Sequence, residues 1–200
     1  MTQHRHLLAP LKLRNHILRN RIVFGAHTNN MSDMGLPGPR MEAYLLERAL
    51  GGAGMIVTEP VPVHATGVLT RGNLLHSSDE IIPHFQRITA KVKQAGAVIC
   101  QQLYHIGAHG DSDLSFAPHW SPSGGPSYHD SDGSHQMTEA EIVELLEAHL
   151  AAAIRAKKSG FQGVEVWAAY HSLLDQFWTP WSNRRTDQWG GSLENRARLC

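Results

Sequence analysis

The strongest constraint on the fold is an alternation of short β-type runs with helical periods, joined by loops of two unequal kinds. Arg21-Ile-Val-Phe-Gly25 reads as a first strand. A helix follows over Arg40–Leu50, preceded by Pro37 and Pro39 and closed by Gly51-Gly52. Met55-Ile-Val-Thr-Glu59 is a second buried strand. The next helix runs from about Glu80 to Gln94, with Ile81, Phe85, Ile88 and Val92 on one face. Ser77 and Glu80 stand at capping-box spacing before it. Ala97-Val-Ile-Cys-Gln-Gln-Leu103 is a third strand, entered through the helix-stopping Gly96. Thr138-x-x-Glu141 opens a long helix to about Ser159, whose expected buried stripe is Ile142, Leu145, Leu146, His149 and Ala153. Past Gly160, Gly163-Val-Glu-Val-Trp167 forms a fourth strand, and Ser192 caps a fourth helix that starts just before Cys200.

Four strand–helix units in series imply an α/β fold with parallel strands and right-handed crossovers. Helix-to-strand turns are short and Gly-rich, whereas each strand-to-helix loop is long and carries polar and aromatic residues. That asymmetry puts function at the carboxyl ends of the strands, in either a doubly wound sheet or a barrel. No G-x-G-x-x-G follows the first strand, which favours the barrel. A whole (β/α)₈ barrel takes ~250 residues, so four units make its N-terminal half. The segment His105–Met137 is rich in Gly, Ser, Pro, His and Asp, with no helical period. It is expected to be a structureless functional loop.

Composition narrows the partners. Lys plus Arg and Asp plus Glu each number 18, so no net charge draws the chain to nucleic acid or an anionic membrane. No apolar run approaches the ~20 residues of a membrane span, and the first residues lack a secretory apolar stretch. Cys100 and Cys200 are too few for a disulfide framework. A cytoplasmic protein acting on a small molecule is the expectation. His105-x-x-x-His109 has metal-pair spacing but no third ligand, so no metal site is expected.

Several stretches together resemble the old yellow enzyme family of flavin-dependent oxidoreductases. Leu8-x-Pro-Leu with Leu18-Arg-Asn-Arg-Ile-Val23 is similar to the family's opening hairpin and first strand. Gly51-Gly-Ala-Gly-Met-Ile-Val-Thr-Glu59 and Gln101-Gln-Leu-Tyr-His105 are similar to its second and third strands. The most specific match is Asn183-Arg-Arg-Thr-Asp-Gln-Trp-Gly-Gly-Ser-Leu-Glu-Asn-Arg-Ala-Arg198, whose Arg185, Asp187, Gly190 and Gly191 read as structural. Gly25-Ala-His-Thr28 and Asp175-Gln-Phe-Trp178 lean toward the trimethylamine dehydrogenase and N-demethylase branch.

The resemblance implies residues 1–200 as an incomplete FMN-binding TIM-barrel domain, with opening hairpin, strands one to four and the start of helix four. It implies FMN as cofactor and, for enoate reduction, NAD(P)H as electron donor. In some members an iron–sulfur cluster and a dinucleotide-binding domain follow the barrel, where these residues cannot report on them. The phosphate site of such barrels lies after strands seven and eight. Half a barrel therefore exposes strand edges that would pair with the remaining strands or with another chain. A truncated, inactive product is the second alternative to an enzyme.

The same resemblance implies roles at named positions. Gln102 offers its amide to the flavin pyrimidine edge; read alone, it is a solvated strand-end Gln. Thr28 hydrogen-bonds and tunes the flavin; read alone, it is a turn Thr. Ala26 and Pro60 fall where backbone groups approach the ring, and Pro60, lacking an N–H, offers only a carbonyl. His27 is expected at the flavin face. On the fourth strand the family usually carries a His pair or a His–Asn pair that donates to a substrate carbonyl, and here Trp167 and Tyr170 stand instead. An aromatic pair suits a methylated ammonium at ~0.5–2 kcal/mol per contact, so oxidation of an N-methylated amine is preferred to enoate reduction. Core packing remains the equal reading for Trp167. His171 is a candidate replacement for the missing imidazole.

Overall fold

A computed structural model describes residues 4–75, 78–127 and 133–200. The chain opens with α1 (Arg5–Leu8), then an antiparallel hairpin of β1 (Leu11–Leu13) and β2 (His16–Leu18). The first unit is β3 (Val23–Phe24), a small hairpin of β4 (Ser32–Asp33) and β5 (Leu36–Pro37), and α2 (Pro39–Leu50). The second is β6 (Met55–Val57), the short β7 (Val61–Pro62) and α3 (Ile81–Gln94). The third begins with β8 (Val98–Tyr104) and passes through α4 (Ser112–Ser115), β9 (His119–Ser121), β10 (Gly125–Pro126) and β11 (Gly133–Gln136) to α5 (Glu139–Lys158). The fourth is β12 (Gly163–Val166), then α6 (Leu173–Trp178) and α7 (Leu193–Arg196).

The main sheet runs β3-β6-β8-β12, all parallel, with β7 also beside β8. Each strand pairs with the strand of the next unit, and the order never reverses. A doubly wound sheet reverses at its switch point, whereas a barrel does not. The fold is thus α/β, and the four units form the N-terminal half of a TIM barrel. One sheet face carries the helix-side core, where Ile56 and Ile99 meet Met41 and Leu45 of α2 and Phe85 and Ile88 of α3. The other face holds a smaller apolar group, Leu18, Val57, Val98 and Cys100 with Ala26 and Met55 against it. Strand alternation produces both faces from the same runs.

The amino ends of the strands are pinned by Arg19. Its Nε donates to Ala53 O at 3.2 Å and its Nη1 to Ala95 O at 3.0 Å, with Nη2 on Ala49 O as well. Ala49 O and Ala95 O are terminal carbonyls of α2 and α3, which helices leave without internal partners, and Ala53 O lies in the turn leading to β6. Gly96 and Gly160, at φ 84° and 83°, make the left-handed turns that send α3 and α5 back to the sheet.

Three expectations are corrected. The helices and strands fall where the periodicity places them, but the first strand shrinks to Val23–Phe24. His105–Met137 is not structureless: its described residues carry a three-stranded sheet in which β11 lies between β9 and β10. Those strands span two to four residues of mostly Gly, Ser and His, too short to show an apolar alternation. The α5 stripe is rotated. Ile142, Leu145, Ala152 and Ala156 are buried, whereas Leu146 is 42 % exposed beside exposed Leu150 and Ile154. This helix is apolar over two adjacent faces, and periodicity alone does not choose between them. The exposed face continues to Val166 of β12 across a mostly apolar groove of about 370 Å³. That groove lies at the free edge of the sheet, beside the carboxyl end of β12.

The Thr138–Glu141 capping box forms as expected, and Ser192 accepts from Asn195 N–H at 3.2 Å. The capping box expected from Ser77 lies outside the described residues, and Glu80 before α3 makes no side-chain cap.

Candidate active site at the strand ends

Strand register assembles the site. Glu165 pairs with Gln102, and Val61 pairs with Leu103, which sets Pro60 level with Gln102 on the neighbouring strand. Asn29 N–H donates to Glu59 Oε2 at 3.0 Å, holding the Thr28 segment beside Pro60. Pro60, Gln102 and Glu165 thus form one rung across neighbouring strands, with the Thr28 segment tied beside it through Glu59. Below it lie the small, apolar Ala26, Val57 and Cys100. Gln102 donates its amide N–H to Glu165 Oε1 at 2.5 Å, which leaves its carbonyl oxygen as an acceptor. Trp167, on the same face of β12 as Glu165, sits one step further out with its ring centroid 5.2 Å from that of Tyr104.

Two buried acids shape this end of the sheet. Glu59 is 3 % exposed, and its Oε1 has no hydrogen-bond partner among the described residues. Burial pushes its carboxyl above the usual range, against the lowering by the backbone N–H groups of Asn29 and Asn30. Burial likewise raises the Tyr104 phenol, so it stays protonated and donates to Asn73 Oδ1 at 2.8 Å.

Beyond the rung the chain turns sharply. Tyr170 and His171 both adopt left-handed backbone, at φ 54° and 60°, a conformation that costs non-glycine residues about 1–2 kcal/mol each. The turn is held from three sides. Asp175 Oδ2 accepts from His171 N–H at 2.9 Å, and Ser172 Oγ donates to Trp167 O at 3.1 Å. The buried Gln176 donates to His171 O at 2.6 Å and to Ile106 O at 3.0 Å, and accepts from Ala108 N–H at 3.2 Å. Gln176 thereby ties the loop after β8 to the loop after β12. Gly107, at φ 73°, passes so close that a Cβ there would lie 2.3 Å from Gln176 Nε2.

The motif Asn183–Arg198 clamps this end of the molecule. Arg185 is buried; its Nη1 donates to Pro122 O at 2.9 Å and Met137 O at 2.6 Å, while Asp187 takes its other face. It ties the small sheet of β9–β11 to the loop after α6, and the Arg185 guanidinium holds the Asp187 carboxyl below the usual range. The structural reading of this motif therefore holds.

The structure brings Thr28, Ala26, Pro60, Gln102 and Trp167 to one end of the sheet, with Tyr170 and His171 just past it. His27 goes elsewhere: its Nε2 lies 2.8 Å from Tyr44 Oη, and its ring packs on Phe24 and Tyr44 at the helix side. His105 and His109 also part company, His105 Nε2 meeting Thr66 Oγ1 and His109 Nδ1 meeting Ser127 Oγ. Among the described residues no group of three or more His, Cys, Asp or Glu could hold a metal ion, and no helix is long and apolar enough to cross a membrane. Sequence reasoning missed Glu165, Glu59 and Gln176. Strand parity marks Glu165, two residues from Trp167, but nothing local marks Gln176, whose partners Ile106 and Ala108 are about 70 residues away.

Parallel strands in barrel order, with polar side chains gathered at their carboxyl ends, define the class as a TIM-barrel fold. Residues 6–200 match the NADH:flavin oxidoreductase / NADH oxidase family, and the chain belongs to it. It is 36 % identical over 200 residues to the probable N-methylproline demethylase of Rhizobium meliloti, covering 97 % of this chain and 29 % of that protein. It is 34 % identical over 198 residues to the NADPH dehydrogenase of Bacillus subtilis, covering 98 % and 57 % respectively. Among solved structures, the old yellow enzyme homologue from Zymomonas mobilis superimposes with a TM-score of 0.89 at 30 % identity, over 96 % of this chain and 57 % of that one. The chain thus spans between about three-tenths and three-fifths of the length of these relatives.

Proposed function

We propose that residues 1–200 are the N-terminal part of an FMN-binding barrel domain whose enzyme oxidises an N-methylated amine. The observation that carries the cofactor reading is the rung itself. Pro60 supplies a carbonyl and Gln102 an amide at one level, with the Thr28 hydroxyl on the segment tied beside them, above a floor of small apolar side chains. That donor and acceptor set fits the polar edge of a flavin ring, with Ala26 leaving room for its face. FMN bound there supplies a two-electron acceptor.

The chain's own residues would do the rest. Gln102, oriented by Glu165, fixes the pyrimidine edge, and Thr28 places a hydroxyl against the ring. Trp167 and Tyr170 present aromatic surface to a methylated ammonium and hold its N-methyl carbon toward the ring. Trp167 is half-buried against Tyr104, so it combines packing with contact, while Tyr170 is 72 % exposed and free to meet substrate. His171 lines the cleft beyond the rung. His27, bonded to Tyr44, supports the wall behind Ala26 and takes no part in the chemistry.

Anaerobic bleaching of the flavin in the full-length gene product tests this. Reduction by N-methylproline or dimethylglycine supports it; reduction by NAD(P)H alone, with reoxidation by cyclohexenone, replaces it with enoate reduction, the alternative suited to the NADPH dehydrogenase similarity.

A second reading concerns these 200 residues in isolation. Among the described residues β3 and β12 each pair on one side only, and Val23 and Val166 are 51 % exposed on them. Such edges invite pairing with further strands or a second chain. Residues 1–200 alone are therefore expected to bind FMN weakly and to associate; a tight one-to-one yellow complex with a monomer overturns this.

A further inference from the structure

Glu59 is a buried acid that the proposed chemistry leaves unused, and its place in the chain ties it to both flanks of the site. It immediately precedes Pro60, whose carbonyl belongs to the rung. Its Oε2 accepts from Asn29 N–H at 3.0 Å, and Asn29 directly follows Thr28. Its Oε1 is buried with no hydrogen-bond partner among the described residues, and no cationic side chain among them pairs with it.

The Thr28 segment is anchored a second time, by neutral groups. Asn30 Oδ1 accepts from Thr70 Oγ1–H at 2.7 Å and from Asn73 Nδ2–H at 3.1 Å. Asn73 Oδ1 in turn accepts from Tyr104 Oη–H, and the Tyr104 ring packs against Trp167. One path of contacts therefore runs from the Thr28 segment across β8 to the end of β12. The ionisable groups facing it come from those two strands. Tyr104 feels the Glu59 charge and stays protonated, while Glu165 is held on Gln102. Asn29, Asn30, Thr70 and Asn73 do not titrate. Glu59 is thus the group on this path whose charge can change, and burial without a counter-charge favours its neutral form.

We propose that Glu59 is a positioning residue that holds the Thr28 segment against the flavin and takes up a proton when the flavin is reduced. This rests on the reading of the rung as a flavin site and deepens it, by giving that site a potential linked to pH. The hydride donor brings two electrons and one proton to the flavin, which leaves a negative charge on the ring. A second proton passes from solvent to Glu59 Oε1 and forms its O–H bond. A neutral Glu59 favours the reduced flavin and an ionised one opposes it, and linkage makes the two effects equal.

Equilibrium redox titration of the full-length gene product over a series of pH values, read by flavin absorbance, tests this beside Glu59→Gln and Glu59→Ala. The Gln amide is neutral at every pH and keeps an acceptor for Asn29 N–H. Parent and Glu59→Gln potentials are expected to coincide at the acid end. As pH rises through the Glu59 window the parent should fall below Glu59→Gln, with a slope up to about twice as steep, because a second proton accompanies the electron pair. A merely structural side chain would move the potential without this change of slope. Glu59→Ala, which leaves Asn29 N–H without its acceptor, should bind FMN about tenfold more weakly in fluorescence quenching, with Glu59→Gln close to the parent. Parallel potential lines for parent and Glu59→Gln, or parental FMN affinity in Glu59→Ala, each overturn the inference; the Gln comparison decides alone where the Ala form does not fold. If Gln102→Leu weakens FMN binding while those lines stay parallel, the rung stands and the role of Glu59 falls. If the parent binds no FMN, or binds it unaltered in Gln102→Leu and Thr28→Val, the rung reading falls and takes this inference with it.

Discussion

Replacing Gln176 by Leu removes the side chain that joins the two loops above the strand ends. Ile106 is 3 % exposed and Ala108 7 %, so the Ile106 carbonyl and the Ala108 N–H would be left buried without partners. The His171 carbonyl belongs to an exposed residue and regains water. Two stranded buried groups cost about 1–3 kcal/mol each, partly offset by the added apolar side chain, so a loss of about 3 kcal/mol is expected. For a chain of this size that lowers Tm by roughly 6–12 °C. The same change frees the Tyr170–His171 turn to relax from its left-handed backbone, which proteolysis at Tyr170 would report as faster cleavage. Gln176→Glu distinguishes lost donors from lost volume. Its carboxylate would face two carbonyl oxygens at neutral pH, so it should be at least as damaging as Leu and recover partly in acid. Thermal melts followed by circular dichroism measure all three proteins. A Gln176→Leu melt within a degree or two of the parent, with unchanged cleavage at Tyr170, would refute the reasoning.

Four other outcomes are expected. Arg185→Met should lower stability by about 3–5 kcal/mol in urea unfolding, as for removing one partner of a buried, multiply bonded charge, and Arg185→Lys should not restore it, because a point charge cannot reach Pro122 O, Met137 O and Asp187 together. His171→Gly should raise stability by about 0.5–1 kcal/mol, since glycine adopts φ 60° without the steric cost, seen as a higher urea midpoint. Glu59 binds its proton more tightly folded than unfolded, so stability should fall as pH rises from the unfolded carboxylate pKa to the raised folded value; Glu59→Gln, which still accepts from Asn29 N–H, should abolish that slope in urea midpoints measured across the window. Asp187 is depressed, so its contribution is present above the unfolded carboxylate pKa and lost as pH falls through the lower folded value; Asp187→Asn should flatten that acid limb, by a modest amount because the carboxylate is 43 % exposed.

Local signals carried most of the fold. Ile81, Phe85, Ile88 and Val92 are all buried because a 3.6-residue period has one solution when a single face is apolar. The same logic failed on α5, where Leu146 and Leu150 extend the apolar surface to a second face and burial depends on which neighbour is present. The small sheet inside His105–Met137 was invisible because backbone pairing and hydroxyl contacts hold it, such as Ser134 Oγ to Ser121 Oγ at 3.0 Å, and neither leaves a periodic trace. Thr28, Gln102 and Pro60 were singled out through family resemblance, since each is an ordinary strand-end residue by itself. Glu165 was missed, although its strand parity with Trp167 marks it. Gln176 was out of reach, because its role comes from the approach of loops that the chain order keeps far apart.

The central claim is that the strand-end rung holds a flavin through Gln102 and Thr28. Fluorescence-quenching titration of FMN into the full-length gene product, compared with its Gln102→Leu and Thr28→Val forms, tests it most directly. Tight binding by the parent, with Gln102→Leu weaker by about tenfold from the loss of its hydrogen bonds to the ring and Thr28→Val shifted in flavin midpoint potential, is the expected result. Unaltered affinity and potential in both substituted proteins would place the flavin somewhere other than this rung.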